Sequence, residues 1–226
     1  MLFRSQFDKD LEILGQMLID MYKKVEELIK LSNKVLFEDD VSHIEEVYKL
    51  EEKINYMEVE IDNHCVTLMA RHQPAAIDLR FILSVSKMSN HLERIADLGI
   101  NVVRSVKYIS HNVLMQYVIE MKPISAISIQ MVKDAMSAFI EHNTEKARAV
   151  CVKDDEVDAL HKANFRKFLD EILNSKIDPE SGIDMVFISK HFERIADEAT
   201  NLAEEVVFYV QGKNIKHHLE DKIELH

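Results

Sequence analysis

The stretch His91-Leu92-Glu93-Arg94-Ile95-Ala96-Asp97 returns one hundred residues later as His191-Phe192-Glu193-Arg194-Ile195-Ala196-Asp197. Each copy continues to an asparagine, Asn101 or Asn201, so that Glu, Asp and Asn recur at intervals of four residues. Residues spaced by four lie on one face of an α-helix. Each copy therefore predicts a helix that places two carboxylates and an amide in one row. Because adjacent carboxylates repel each other, the row indicates a solvated acidic face or a cation-binding site.

The composition favours a few long helices. The chain of 226 residues has only 4 Gly and 3 Pro, and apolar residues recur at helical spacing along most of its length. Strand-like alternation is absent from this pattern. Breaking residues separate six predicted helices, at about 7–36, 40–72, 75–109, 113–142, 145–174 and 180–211. Pro123 either kinks the fourth helix or marks its true start.

A second pair of similar segments shows that the repeat covers whole units. Glu51-Glu52-Lys53-Ile54-Asn55 corresponds to Asp154-Asp155-Glu156-Val157-Asp158. The sequence therefore predicts an all-α fold of two pseudo-symmetric antiparallel three-helix bundles. We expect the first repeat over 1–109 and the second over 110–226. The second repeat ends in a charged tail from residue 213, whose end we expect to fray.

The acidic groups of neighbouring helices are predicted to lie at the same height. In an antiparallel hairpin, residues equidistant from the turn face each other, and the turns fall at Pro74 and at residues 174–178. We expect these groups in a partly exposed groove beside the apolar face, where oxygen donors suit Mg, Mn or iron better than structural zinc. An ordinary solvated face is the alternative. The candidate residues are Glu51, Asn55, Glu93 and Asp97 in the first half, and Asp154, Asp158, Glu193 and Asp197 in the second.

Charge and cysteine content restrict the classes of function. The formal net charge is −12, from 28 basic and 40 acidic residues. This charge disfavours binding to nucleic acid and to anionic lipid, and it favours cations and basic protein surfaces. Two cysteines without a C-x-x-C pair indicate buried free thiols in a reducing cytosol. The start of the chain lacks a signal-peptide pattern and no apolar stretch is long enough to span a bilayer, so we expect a soluble cytoplasmic protein.

The residues above resemble the PhoU family of bacterial regulators of phosphate uptake. Both Glu-Arg-Ile-Ala-Asp strings match that family, together with their asparagines. Further matches are Gln73-Pro74-Ala75-Ala76-Ile77-Asp78-Leu79-Arg80, Asp155-Glu156-Val157-Asp158-Ala159-Leu160 and Val210-Gln211-Gly212-Lys213-Asn214-Ile215-Lys216-His217. The resemblance covers residues 2–217 and preserves the order and spacing of both repeats.

The resemblance implies a pair of three-helix bundles whose acidic motifs hold divalent or ferric metal ions. These ions would be iron, zinc, manganese or magnesium, in sites that include multinuclear clusters. The ligands would be the eight candidate residues, and Asn55 would weaken the first site because an amide supplies one neutral oxygen. We therefore expect the second half to bind metal more tightly. Asn101 and Asn201 would hydrogen-bond the ligands.

The histidines near the motifs have other expected roles. His91 and His191 lie about 200° around the helix from the glutamates, so capping or surface roles are favoured over metal ligation. Asp158-x2-His161 imitates half of the di-iron motif of ferritin-like bundles. Its counterpart is Asn55-x2-Glu58, so the pair of motifs that this fold needs is missing.

By this resemblance, the function would be that of a regulatory adaptor and not of an enzyme. It would link the ATPase component of the phosphate ABC transporter to a phosphate-sensing histidine kinase, and so restrain the phosphate-starvation response. The family implies a homodimer, with no insertion into the membrane. Two alternatives remain: a carboxylate-bridged di-metal enzyme, either an oxidase or a hydrolase, and a cation buffer.

Overall fold

The computed structural model describes residues 6–215, and these residues contain helices and turns but no strand. The predicted all-α class is confirmed. No helix within this range is long and apolar enough to cross a membrane. The α-helices are α1 (Gln6–Glu38), α2 (Ile44–His72), α3 (Ala76–Val106), α4 (His111–Tyr117), α5 (Lys122–Glu141), α6 (Thr144–Leu173) and α7 (Pro179–Gln211), with 3-10 turns at Val41–His43 and Val118–Met121.

The helices form two three-helix bundles that share one core. Helices α1, α2 and α3 pack against one another, and α5, α6 and α7 do the same. The bundles join where α3 packs along α7, whereas α1 and α5 touch only sparsely. The predicted pseudo-symmetric pair of bundles is therefore confirmed. The predicted boundary at 109/110 lies between α3 and α4, and the predicted fraying of the tail concerns residues that lie mostly outside the described range.

The single fourth helix predicted at 113–142 is wrong. That segment consists of the short helix α4, the 3-10 turn Val118–Met121 and helix α5. Pro123 is the second residue of α5, so it marks the start of a helix and does not kink one. A proline is tolerated in the first helical turn because its missing N–H would have no intrahelical acceptor there.

The turns between helices determine which residues face each other. Gln73, which has a left-handed φ of 46°, follows the last residue of α2, and α3 begins three residues after it. In the second half, the Asp178 carboxylate caps α7 by accepting a hydrogen bond from the Ser181 N–H at 2.8 Å. These tight connections keep α2 antiparallel to α3 and α6 antiparallel to α7, which fixes the heights of their acidic residues.

Both cysteines are free thiols, as the sequence predicts. Cys65 is buried, and Cys151 is only partly buried. Burial raises the pKa of the Cys65 thiol to about 12 and that of the Cys151 thiol to about 11. Both side chains are therefore neutral near pH 7 and pack as small apolar groups.

Candidate metal-binding clusters

Helices α2 and α3 bring four carboxylates together in the first half. We call this group, Glu51, Glu58, Glu93 and Asp97, the first cluster. Burial raises the pKa of Glu93, and the negative charges of Asp97, Glu58 and Glu51 raise it further. Burial and the charge of Glu51 likewise raise the pKa of Asp97. The nearby positive charges of Arg94 and Arg104 therefore do not fully compensate the negative charge of the cluster.

The predicted candidate Asn55 borders the first cluster. Its Nδ2 donates a hydrogen bond of 2.6 Å to Glu51 Oε1. Its Oδ1 is buried and has no hydrogen-bond partner within the described residues. A buried acceptor without a donor is unfavourable, so this oxygen is available to a cation or to a proton donor.

Helices α6 and α7 form the equivalent group in the second half. This second cluster consists of Asp154, Asp158, Glu193 and Asp197. Burial and the charges of Glu193 and Asp154 raise the pKa of Asp197 to about 6. Burial and the charges of Asp158 and Glu193 also raise the pKa of Asp154. The structure thus brings together all four predicted residues of this half.

The expectation of a partly exposed groove is wrong for Glu193. This residue is only 8% exposed, whereas Asp97 is exposed and Asp197 is partly buried. Lys190 lies one helical turn before Glu193, and its Nζ is 2.6 Å from Oε1 and 2.5 Å from Oε2. Oε1 accepts a hydrogen bond from Lys190, whereas Oε2 is a buried acceptor that has no hydrogen-bond donor in the described part of the chain. The ammonium group of Lys190 therefore neutralises charge at this point without satisfying both oxygens.

Three residues that the predicted ligand set does not include belong to these clusters. Glu58 lies seven residues after Glu51, and His161 lies seven after Asp154, so helical spacing already placed each on the acidic face. The charges of Glu193 and Asp158 act on His161, whose Nδ1 is 3.1 Å from Ser189 Oγ. Lys190 is the third. Glu58 gives the first cluster a fourth carboxylate. The number of carboxylates is therefore equal in the two clusters and does not indicate which of them binds metal more tightly.

The two asparagines that continue the motifs make other contacts. Asn101 Oδ1 accepts a hydrogen bond of 3.2 Å from Arg104, whose charge lowers the pKa of Asp97. Asn201 Nδ2 donates a long hydrogen bond of 3.4 Å to Glu198 Oε2. Asn101 therefore contacts Arg104, which lies near the first cluster. Asn201 contacts Glu198, which is outside both clusters.

The capping and surface roles predicted for the two motif histidines are wrong. His91 Nδ1 lies 2.7 Å from Glu198 Oε2 and so links α3 to α7. The buried Nδ1 of His191 has no hydrogen-bond partner among residues 6–215, and burial lowers the pKa of this histidine to about 4. Helical spacing showed that these rings point away from the glutamates, but the helix that covers them was not predictable from one segment.

The donor types of both clusters fit a hard cation, although the side chains must move to hold one. Within residues 6–215, no three His, Cys, Asp or Glu side chains stand in a metal-binding arrangement. One buried oxygen without a hydrogen-bond donor among the described residues nevertheless lies at each cluster, Asn55 Oδ1 beside the first and Glu193 Oε2 in the second. Carboxylate and amide oxygens are ligands that divalent hard cations prefer. Rotation of the Lys190 side chain toward solvent would leave the oxygens of the second cluster free to converge.

The chain matches a protein family over most of its length. The profile of the PhoU domain matches residues 18–106 and, a second time, residues 121–206. The chain is 31% identical to the phosphate-specific transport system accessory protein PhoU homologue of Clostridium acetobutylicum, over 94% of this chain and 97% of that protein. It is 32% identical to the homologue of Aquifex aeolicus, over 95% and 97% of the two chains.

Solved structures show the same fold. The crystal structure of PhoU from Pseudomonas aeruginosa superposes with a TM-score of 0.84 at 30% identity, covering 92% of this chain and all of that one. The phosphate transport system regulatory protein PhoU from Streptococcus pneumoniae superposes with a TM-score of 0.86 at 25% identity, over 93% of this chain and 100% of that one. From the two bundles, the paired acidic helices and these matches we conclude that the chain belongs to the PhoU family.

Proposed function

We propose that this protein is an accessory regulator of phosphate transport. The observation that carries the proposal is the match of both repeats to the PhoU domain within one chain. The relative from Clostridium acetobutylicum is named a phosphate-specific transport system accessory protein, and the structure from Streptococcus pneumoniae a regulatory protein of phosphate transport. These names describe accessory and regulatory proteins, which supports an adaptor over an enzyme.

In this proposal the adaptor contacts the ATPase component of the phosphate ABC transporter and a phosphate-sensing histidine kinase. It acts in the cytoplasm, as a homodimer, and restrains the phosphate-starvation response when phosphate is plentiful. The formal charge of −12 supports partners with basic surfaces over nucleic acid or anionic lipid.

We further propose that the two clusters bind metal ions. Glu51, Glu58, Glu93 and Asp97, with Asn55 Oδ1, would hold one site, and Asp154, Asp158, Glu193 and Asp197 the other. A bound cation would supply the positive charge that relieves the repulsion among these carboxylates. The raised pKa values and the two buried unbonded oxygens support this role. Metal binding would therefore stabilise the helix pairs α2–α3 and α6–α7.

Deletion of the gene in its source organism tests the regulatory role. We expect phosphatase expression in high phosphate to rise in the deletion strain and to return to the low level when the wild-type gene is restored. Expression that stays low after deletion, in a strain whose transporter and kinase are intact, would contradict the proposal.

A carboxylate-bridged di-metal oxidase or hydrolase is the rival class, and the clusters are its supporting observation. Purified protein loaded with iron or manganese would then consume dioxygen or hydrolyse a phosphate ester at a catalytic rate. We expect no turnover above that of the Glu93→Gln/Glu193→Gln variant. A cation buffer would bind metal without any effect of gene deletion on phosphatase expression, which separates it from the regulator.

A further inference from the structure

An apolar pocket lies between the two bundles, away from both clusters. It has a volume of about 400 Å³, within the roughly 300–1,000 Å³ of typical ligand pockets. Its walls come from α1, the start of α3, the end of α5 and the end of α7. An aromatic triangle of Phe81, Phe139 and Tyr209 lines its base, with ring centroids 5.7 to 6.0 Å apart. Four helices thus hold an apolar surface open to solvent.

Two isoleucine side chains are exposed at the edge of the pocket. Ile77 at the start of α3 is 52% exposed, and Ile140 at the end of α5 is 50% exposed. Both line the pocket, so its mouth and base form one continuous apolar surface. A contiguous patch of this kind is typical of an interaction site, whereas isolated exposed apolar residues are common on any surface.

Gly15 keeps the pocket open. It lies in the middle of α1, where glycine costs roughly 0.5–1 kcal/mol relative to alanine. A Cβ added there would lie 3.4 Å from the end of the Phe81 ring, so an alanine fits and a larger side chain would extend into the pocket. Helix propensity therefore disfavours glycine at this position, and the missing side chain leaves room on the α1 side of the pocket.

A connection of the chain itself lies at the equivalent place at the opposite end of the molecule. Exchange of the two halves places that space between the ends of α1 and α3 and the starts of α5 and α7. Residues 107–121 connect two of these helix ends, and the turn Val118–Met121 also lies against α1. In this connection Leu114, Tyr117, Val118 and Met121 are buried. A short segment with apolar side chains is therefore the kind of structure that closes such a space.

The charges at the edge of the pocket indicate which segment would bind. The carboxylate of Asp78 lines it, and none of its lining residues within the described chain is Lys or Arg. We propose that this pocket is the docking site of a partner protein that inserts an apolar side chain flanked by basic residues. The proposal rests on the regulatory function above, because it assigns a surface to one of the partners of the adaptor.

The position of the pocket allows partner binding and metal binding to occur together. Ile77 of α3 lines the pocket. It precedes Glu93 by 16 residues and Asp97 by 20, which places it about 160° to 200° around the helix from them. The docking surface and the first cluster therefore lie on opposite sides of α3.

Binding of the purified ATPase subunit of the phosphate transporter to the full-length protein tests the proposal. We expect Gly15→Leu to weaken binding at least tenfold while the protein stays folded, because the new side chain occupies the pocket. Gly15→Ala should fold at least as well and weaken binding less. Ile13→Ala is the matched control: Ile13 is 50% exposed on the opposite face of α1, and its truncation should leave the affinity unchanged. Asp78→Asn should weaken binding roughly two- to fivefold, and less at high salt.

The outcomes separate the two proposals. If the wild-type protein binds neither the transporter subunit nor the kinase, the proposed function fails. If wild type binds and Gly15→Leu and Gly15→Ala bind equally well, the docking site is overturned while the function stands. A homodimer that Gly15→Leu converts to monomers in gel filtration would also overturn it, because the occupant would then be a second copy of this chain.

Discussion

His91 of α3 and Glu198 of α7 form a hydrogen bond of 2.7 Å between the two bundles, although the sequence places them 107 residues apart. Arg94 lies 3.7 Å from the other oxygen of the same carboxylate. The residue one hundred positions before Glu198 is Leu98, so His191 lacks the equivalent partner. Of the two copies of the motif, the first therefore contacts Glu198 across the interface between the bundles, and the second has no glutamate at the equivalent position.

We expect Glu198→Gln to destabilise the protein by about 1–2 kcal/mol, because the amide removes the negative charge that strengthens this nearly buried hydrogen bond. Urea denaturation of the single and double variants with His91→Ala should show a coupling energy of about 1 kcal/mol. Glu60→Gln, an exposed glutamate of α2, is the control and should change stability by less than about 0.5 kcal/mol. Additive effects of the two changes would contradict a bond between bundles.

His191 should make the protein sensitive to acid. Its pKa falls from 6.5 to about 4 in the folded state, so the unfolded chain binds more protons between these values. Stability that is present above pH 6.5 should therefore be lost as the pH falls toward 4, by at most about 3 kcal/mol. His191→Phe should lose less stability over this window than wild type. Parallel stability–pH curves from chemical denaturation would show that His191 is not the cause.

Asp197→Asn should affect the second cluster in two ways. In chelator at pH 7 the variant should be more stable by about 1 kcal/mol, since one of four repelling charges is removed and solvent screens the rest. The pKa of Asp197 is raised to about 6, so the folded state binds the extra proton between about pH 4 and 6. Wild type therefore loses this stability as the pH rises through 6, and the advantage of the variant should shrink below that pH.

The same variant tests metal binding. Elemental analysis of tag-free protein should show less metal in Asp197→Asn than in wild type, while Asp97→Asn, the matched change in the first half, leaves the second site occupied. Either of two results would contradict metal binding and favour an ordinary acidic surface. One is a metal content that neither change affects, and the other is the absence of metal from wild type below millimolar divalent cation.

Lys190 should compete with metal for the second cluster. Lys190→Met removes the ammonium group that contacts Glu193, so divalent-cation affinity should increase by about tenfold. In chelator the variant should be less stable by about 1–3 kcal/mol, because a buried carboxylate loses its partner. Lys162→Met, which removes the exposed partner of Asp158, is the control and should change the affinity less. Isothermal titration with Mn²⁺ measures the metal affinities of wild type and the two variants. Equal affinities for all three proteins would contradict competition between Lys190 and the metal ion.

The sequence alone determined the helical fold, the two repeats and the meeting of the acidic residues. Helical periodicity depends on neighbours within one or two turns, and the short turn near Pro74 fixes which residues of α2 and α3 lie at one height. The same local rules allow two roles for Pro123, a kink within a helix or the start of a helix. The positions of Glu58 and His161 were also predictable, because a spacing of seven residues from Glu51 and Asp154 places them on the acidic faces of their helices.

Only the tertiary structure decided how the two bundles face each other. The bond between His91 and Glu198, the burial of Glu193 and the pocket beside Gly15 depend on which sides of α3 and α7 meet. That choice arises from the complementary packing of side chains that are distant in sequence, and no pattern within one helix encodes it. The sequence therefore determined which residues share a face, and the packing of α3 against α7 determined what that face contacts.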